Sequence, residues 1–131
     1  MNFETTFANP MGRTARGPYI AGLVVLALAV AFYVLLVHAG RNGEWVLVTL
    51  LYPGFVLVGR RLHDMGQTAW LLLLPGALIV ASVWMHMAGK DVGGQLQQPV
   101  SIAAHVAGAA FVLWGLIGKG QADANKFGAA A

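Results

Sequence analysis

Between Tyr19 and Ala39 the chain runs for 21 residues without an Asp, Glu, Lys or Arg. At 1.5 Å per residue a helix over this run reaches about 30 Å, the thickness of a bilayer's hydrocarbon core. The run therefore predicts a transmembrane helix. Three more apolar stretches follow, from Trp45 to Val58, from Trp70 to Ala88 and from about Pro99 to Gly118. With 58% of residues hydrophobic and 10% charged, against about 25% charged in soluble domains, the chain has too little polar surface for a water-soluble globule.

The second stretch is short: its 14 residues span only about 21 Å as a helix. Extending it through Leu62 brings it to about 27 Å and places Arg60 and Arg61 at headgroup level, where long basic side chains can snorkel. The expected spans are thus 19–39, 45–62, 70–88 and 99–118. Together they predict an all-α, polytopic membrane protein, a compact four-helix bundle forming a single membrane domain over residues 1–131. The LLVHAG sequence at the end of the first span offers small residues to a signal peptidase. Its long apolar core and the long segment before it favour an uncleaved anchor.

Charge sets the orientation, because short cytoplasmic loops collect Lys and Arg. Arg13, Arg16, Arg60, Arg61, Lys119 and Lys126 fall on one side, Arg41 and Lys90 on the other. Both termini and the loop around residues 59–69 are therefore expected in the cytoplasm. The net charge of +3 is scattered around apolar segments without lining one solvated face, so nucleic acid is not an expected partner. With no cysteine, disulfides and thiolate chemistry are excluded.

Polar chemistry is sparse. The spans hold no acidic or basic residue, which removes the usual parts of a proton relay or ion-coupling site. His38, His86 and His105 lie near the outer ends of three spans and are weak candidates for a metal site, with Met85 and Met87 nearby; no cofactor is expected. Pro53-Gly54 and Pro75-Gly76 recur in similar apolar settings, and interior prolines would bend the second and third helices. Ser101, Ala104, Gly108, Gly115 and Gly118 form a small-residue stripe suited to close helix packing, within the bundle or against a second copy or another membrane protein.

The densest polar segment is GRRLHDMGQTAW, residues 59–70. On a continuing helix Arg60 and Asp64 are four apart and Arg61 and Asp64 three apart, so either arginine can pair with the carboxylate. His63 beside Asp64 points about 100° away from it, and no nucleophile or second acid accompanies them. Gly66 is a natural helix terminator, and Trp70 suits an interface. The expectation is a non-enzymatic protein whose cytoplasmic basic collar holds anionic lipid or a partner protein. The alternative is a small-solute or ion channel or transporter built on the Pro-Gly bends, for which an oligomer could add a pore between subunits.

The same segment, with Gly12–Tyr19 (GRTARGPY) and the tail residues Asn125, Lys126, Phe127 and Gly128, resembles the signature of the bacterial inner-membrane proteins grouped as domain of unknown function 805. The resemblance covers roughly residues 7 to 128. Thr68 and Ala69 depart from it, standing where that family has Ser-Gly. It implies four spans in the inner membrane and no established activity. It further implies that Gly12, Arg13, Arg16, Arg60, Arg61, Leu62, His63, Asp64, Gly66, Trp70, Asn125, Lys126 and Gly128 act together at one face.

Overall fold

A computed structural model describes residues 7–33, 35, 49–88 and 94–129. Among these are four helices: α1 Arg16–Phe32, α2 Leu51–Asp64, α3 Leu73–Ala88 and α4 Gln97–Ile117. Short 3-10 turns, Ala69–Leu72 and Gly94–Leu96, lead into α3 and α4. The described residues contain no strand; one bridge between Asn125 and Gly128 closes a turn in the tail.

Four of the five prolines take the same position. Pro18, Pro53, Pro75 and Pro99 are each the third residue of their helix. The first-turn amides of a helix have no carbonyl partner within it, so a residue lacking N–H costs little there. The expected mid-helix bends at Pro53 and Pro75 are therefore corrected. Both prolines stand in the first turn, and α2 and α3 continue unbroken beyond them.

The same preference moves the boundaries. α1 begins at Arg16, ahead of the apolar run, because Gly17 and Pro18 fit its first turn. α2 continues past Leu62 to Asp64. The first residues of the expected third span form a 3-10 turn, and α4 starts two residues before Pro99. The expected start of the second span at Trp45 lies outside the described residues.

The chain divides into two compact units, Met1–Ala69 with Gly115–Ala131, and Trp70–Trp114. In the first, α1 packs on α2. Gly22 allows the contact, since a Cβ there would stand 2.7 Å from Cδ1 of the fully buried Leu57. Tyr19, also fully buried, lies against Gly115 at the end of α4, where an added Cβ would meet the ring at 2.6 Å. One glycine of the small-residue stripe thus seats an aromatic ring on helix backbone. The rest of α1 turns Ile20, Val24, Val25, Leu28 and Phe32 outward.

In the second unit α3 and α4 meet where Ile79 Cδ1 approaches Gly108. Gln97 Nε2 donates to the Met85 carbonyl near the end of α3 at 3.2 Å. Two segments, Ala69–His86 and Gly94–Ile117, are long and apolar enough to cross a membrane, and only 11% of each is buried. A core helix of a soluble protein would be mostly buried; these expose Leu73, Leu74, Val80, Trp84, Ile102 and Val106.

Candidate functional site

The polar residues of the first unit converge on the C-terminal ends of α2 and α4. A helix leaves its last four carbonyls without intrahelical donors, and at α2 all four are accounted for. At α2, Met65 N–H donates to Arg61 O and Leu62 O, Gly66 N–H to His63 O at 3.0 Å, and Gln67 N–H to Leu62 O at 2.8 Å. The last two bonds form a Schellman closure, which needs the left-handed conformation that Gly66 adopts at φ +80°. The helix ends where the glycine predicted.

The tail satisfies what remains. Gln121 N–H donates to Asp64 O at 2.7 Å. Asn125 Nδ2 donates to His63 O at 3.0 Å and to Gln121 Oε1 at 2.7 Å, while its Oδ1 accepts from Phe127 N–H. The tail is thereby stitched along the end of α2.

At α4 the donors are arginines. Arg61 Nε donates to Gly115 O at 2.8 Å and Nη2 to Gly118 O at 2.7 Å. Arg16 Nη2 donates to Gly118 O at 2.9 Å and reaches Ile117 O at 3.4 Å. Cations at a helix C-terminus meet the negative end of its dipole, so these contacts gain beyond the hydrogen bonds themselves.

Asp64 sits at the centre, 4% exposed. Arg61 Nη1 contacts its Oδ2 at 2.6 Å, while Arg13 contacts Oδ1 through Nε at 3.0 Å and Nη2 at 2.9 Å. One carboxylate between two buried guanidiniums leaves a surplus positive charge. Backbone carbonyls absorb it: Arg13 donates to Asp123 O, Gly128 O and Gln121 O, and Arg61 to Thr14 O. Buried charge is tolerated when its remaining donors are all met in this way. Gly120 allows the tail to pass, since a Cβ there would overlap Asp64 Oδ2.

Arg60 turns to the other side. It donates to Asn9 O at 3.2 Å, Met11 O, Arg13 O at 3.0 Å and Thr14 Oγ1 at 3.1 Å. Gly12, at φ +97°, bends the chain around this guanidinium. Thr14 N–H returns a bond to Arg60 O, and Tyr52 Oη donates to Ala8 O. Arg60 therefore fastens the N-terminal segment and does not pair with Asp64.

His63 Nδ1 donates to Gly12 O at 2.9 Å, and its ring stacks on Phe127 at 4.1 Å, nearly parallel. Lys126 Nζ stands over the Phe127 ring, 5.1 Å from its centroid. His63 and Asp64 thus turn to different partners, and the carboxylate does not orient the imidazole.

Arg13, Arg16, Arg60, Arg61, His63, Asp64, Gly66, Asn125 and Lys126 are all drawn into this knot or its rim. Their placement corrects the snorkelling expected of Arg61, which is 1% exposed because four interior acceptors compete with water for it. Trp70 stands in the turn Ala69–Leu72 with its ring exposed. Of the histidines considered for a metal, His38 lies outside the described residues, His105 Nδ1 donates to Ser101 O of its own helix, and His86 is exposed on α3. No group of three metal-ligating side chains gathers among the described residues. Sequence reasoning missed Thr14, Gly120 and Gln121: Thr14 and Gln121 act through both backbone and side chain, and Gly120 through having no side chain. The Gly-Lys-Gly run at 118–120 was the signal for the tail pair.

This is a helical protein with two helices fit to cross a membrane, and in its first unit an arginine-rich knot joins three separate chain segments. The family model described as protein of unknown function (DUF805) matches residues 7–129, and the chain belongs to that family. No curated protein and no solved structure matches it.

Proposed function

We propose that the chain is a non-enzymatic, four-span component of the bacterial inner membrane, with both termini in the cytoplasm, whose basic cytoplasmic collar holds anionic lipid or a partner protein. The division of labour among the basic residues carries this reading. Arg13, Arg60 and Arg61 are consumed by carbonyls and Asp64, whereas Arg16, Lys119 and Lys126 stay exposed around the same knot. The collar is thus built on a rigid base and is smaller than the count of basic residues suggests. The outward apolar side chains of α1, α3 and α4 support a lipid setting, and the six-to-two distribution of basic residues supports the orientation. The separation of His63 from Asp64 supports a role without catalysis.

The chain has no native cysteine, so single cysteines report topology cleanly. In intact spheroplasts an impermeant maleimide should label Asn42→Cys, and should label Ala124→Cys only after lysis. The reverse pattern overturns the orientation. Native mass spectrometry of the wild-type protein should retain phosphatidylglycerol over phosphatidylcholine, and equal loss of both overturns lipid holding.

A further inference from the structure

Beside the knot lies an open groove of about 330 Å³ walled by Arg16, Arg61, Asp64, Lys119 and Gln121. We propose that it is a phospholipid site, taking a headgroup phosphate between Arg16 and Lys119 and an acyl chain along α1. The proposal rests on the reading that the collar holds anionic lipid and assigns that role to specific residues.

The donors favour an oxyanion. Arg16 uses only Nη2 on carbonyls, which leaves the N–H groups of Nε and Nη1 without an acceptor among the described residues. Lys119 Nζ has neither an ion pair nor a hydrogen bond among them. The carboxylate in the wall does not oppose this, because Arg13 and Arg61 already neutralise Asp64. Three carbonyls at the end of α4 that would repel an anion, those of Gly115, Ile117 and Gly118, are covered by Arg61 and Arg16. The free N–H groups of Arg16 each offer a charge-assisted bond to an oxyanion, and Lys119 adds a point charge beside them.

The apolar half of the site lies on the same helix. A second open groove, about 640 Å³ in volume, is lined by Leu23, Leu26, Ala27, Val30, Ala31 and Leu35. At 3.6 residues per turn Leu23 and Ala27 fall within about 20° of the Arg16 direction, and the groove starts about 10 Å below it. Phosphate contacts above an apolar trough on one helix face fit a lipid whose chain descends from a bound headgroup. A soluble phosphate compound would leave the trough without an occupant.

Binding of phosphatidylglycerol to the detergent-solubilised full chain, read by native mass spectrometry, tests the site. Arg16→Gln with Lys119→Gln should weaken retention by about tenfold or more, and Ala27→Trp, which fills the trough from an exposed position, should weaken it severalfold. Lys126→Gln, on the Phe127 side of the knot, should weaken retention severalfold less than Lys119→Gln does. Equal loss in Lys126→Gln and Lys119→Gln overturns the site in favour of unspecific charge. Unchanged retention in the double variant also overturns it. If inorganic phosphate displaces the lipid at equal concentration, or Ala27→Trp has no effect, the acyl-chain assignment fails. Absence of phosphatidylglycerol from the wild type itself would instead defeat the broader reading of the collar.

Discussion

Replacing Asp64 by asparagine removes one charge with almost no change of shape, at the point where two buried arginines meet. The carboxylate accepts at 3.0 and 2.9 Å from Arg13 and at 2.6 Å from Arg61. An amide oxygen can keep one of these contacts. Its NH2 group then faces a guanidinium, donor against donor, and two buried cations lose their only anion. Breaking a buried ion pair by removing one partner costs about 3–5 kcal/mol. Against the usual domain stability of about 5–15 kcal/mol, this is roughly a fifth or more. Denaturant unfolding in detergent should show that loss, and trypsin should cut at Lys126 much faster as the tail detaches. Asp64→Asn combined with Arg13→Gln should lose about 1–3 kcal/mol less than the two single changes summed, because both act on one network. Unfolding within about 1 kcal/mol of wild type, with unchanged cleavage at Lys126, would refute the view that Asp64 holds the knot closed.

Other parts of the knot make separate predictions. Arg61→Lys should cost about 2–3 kcal/mol in the same unfolding assay, since an ammonium on a flexible stem cannot reproduce the fork shared among Gly115 O, Gly118 O, Thr14 O and Asp64. Gly115→Ala should cost about 1–3 kcal/mol through collision with the buried Tyr19 ring; adding Tyr19→Leu should recover part of it. Phe127→Ala should weaken tail docking by about 0.5–1.5 kcal/mol as the His63 stack is lost, and hydrogen exchange at the Gln121 amide should report it. Arg60→Ala should free residues 9–14 to proteolysis and leave protection of the tail in place, because Arg60 holds only the N-terminal segment.

The sequence revealed helices, chain ends and local pairs, but not long-range partners. Apolar runs placed all four helices, with terminal errors where prolines belong to first turns. Gly66 and the three-residue spacing of Arg61 and Asp64 were legible because both are short-range effects within one helix. Arg13 was not assignable to Asp64, since the two are 51 residues apart and nothing in their neighbourhoods distinguishes Arg13 from Arg16. The competition between Arg60 and Arg61 for one carboxylate was also undecided by spacing: successive helical residues diverge by about 100°, and only the positions of α1 and the tail decide which one turns inward. The backbone acceptors carried no sequence signal, because every residue has a carbonyl.

The order of synthesis gives the knot a further consequence. Arg13 emerges early, yet its carbonyl acceptors at Gln121, Asp123 and Gly128 lie 108, 110 and 115 residues later. Arg61 likewise waits for Gly115 and Gly118, which are 54 and 57 residues downstream. A nascent chain therefore carries these guanidiniums without their carbonyl acceptors through the insertion of every intervening helix, and only the segment from Gly115 to Gly128 supplies them. A chain interrupted before Gln121 would lack all three carbonyl acceptors of Arg13.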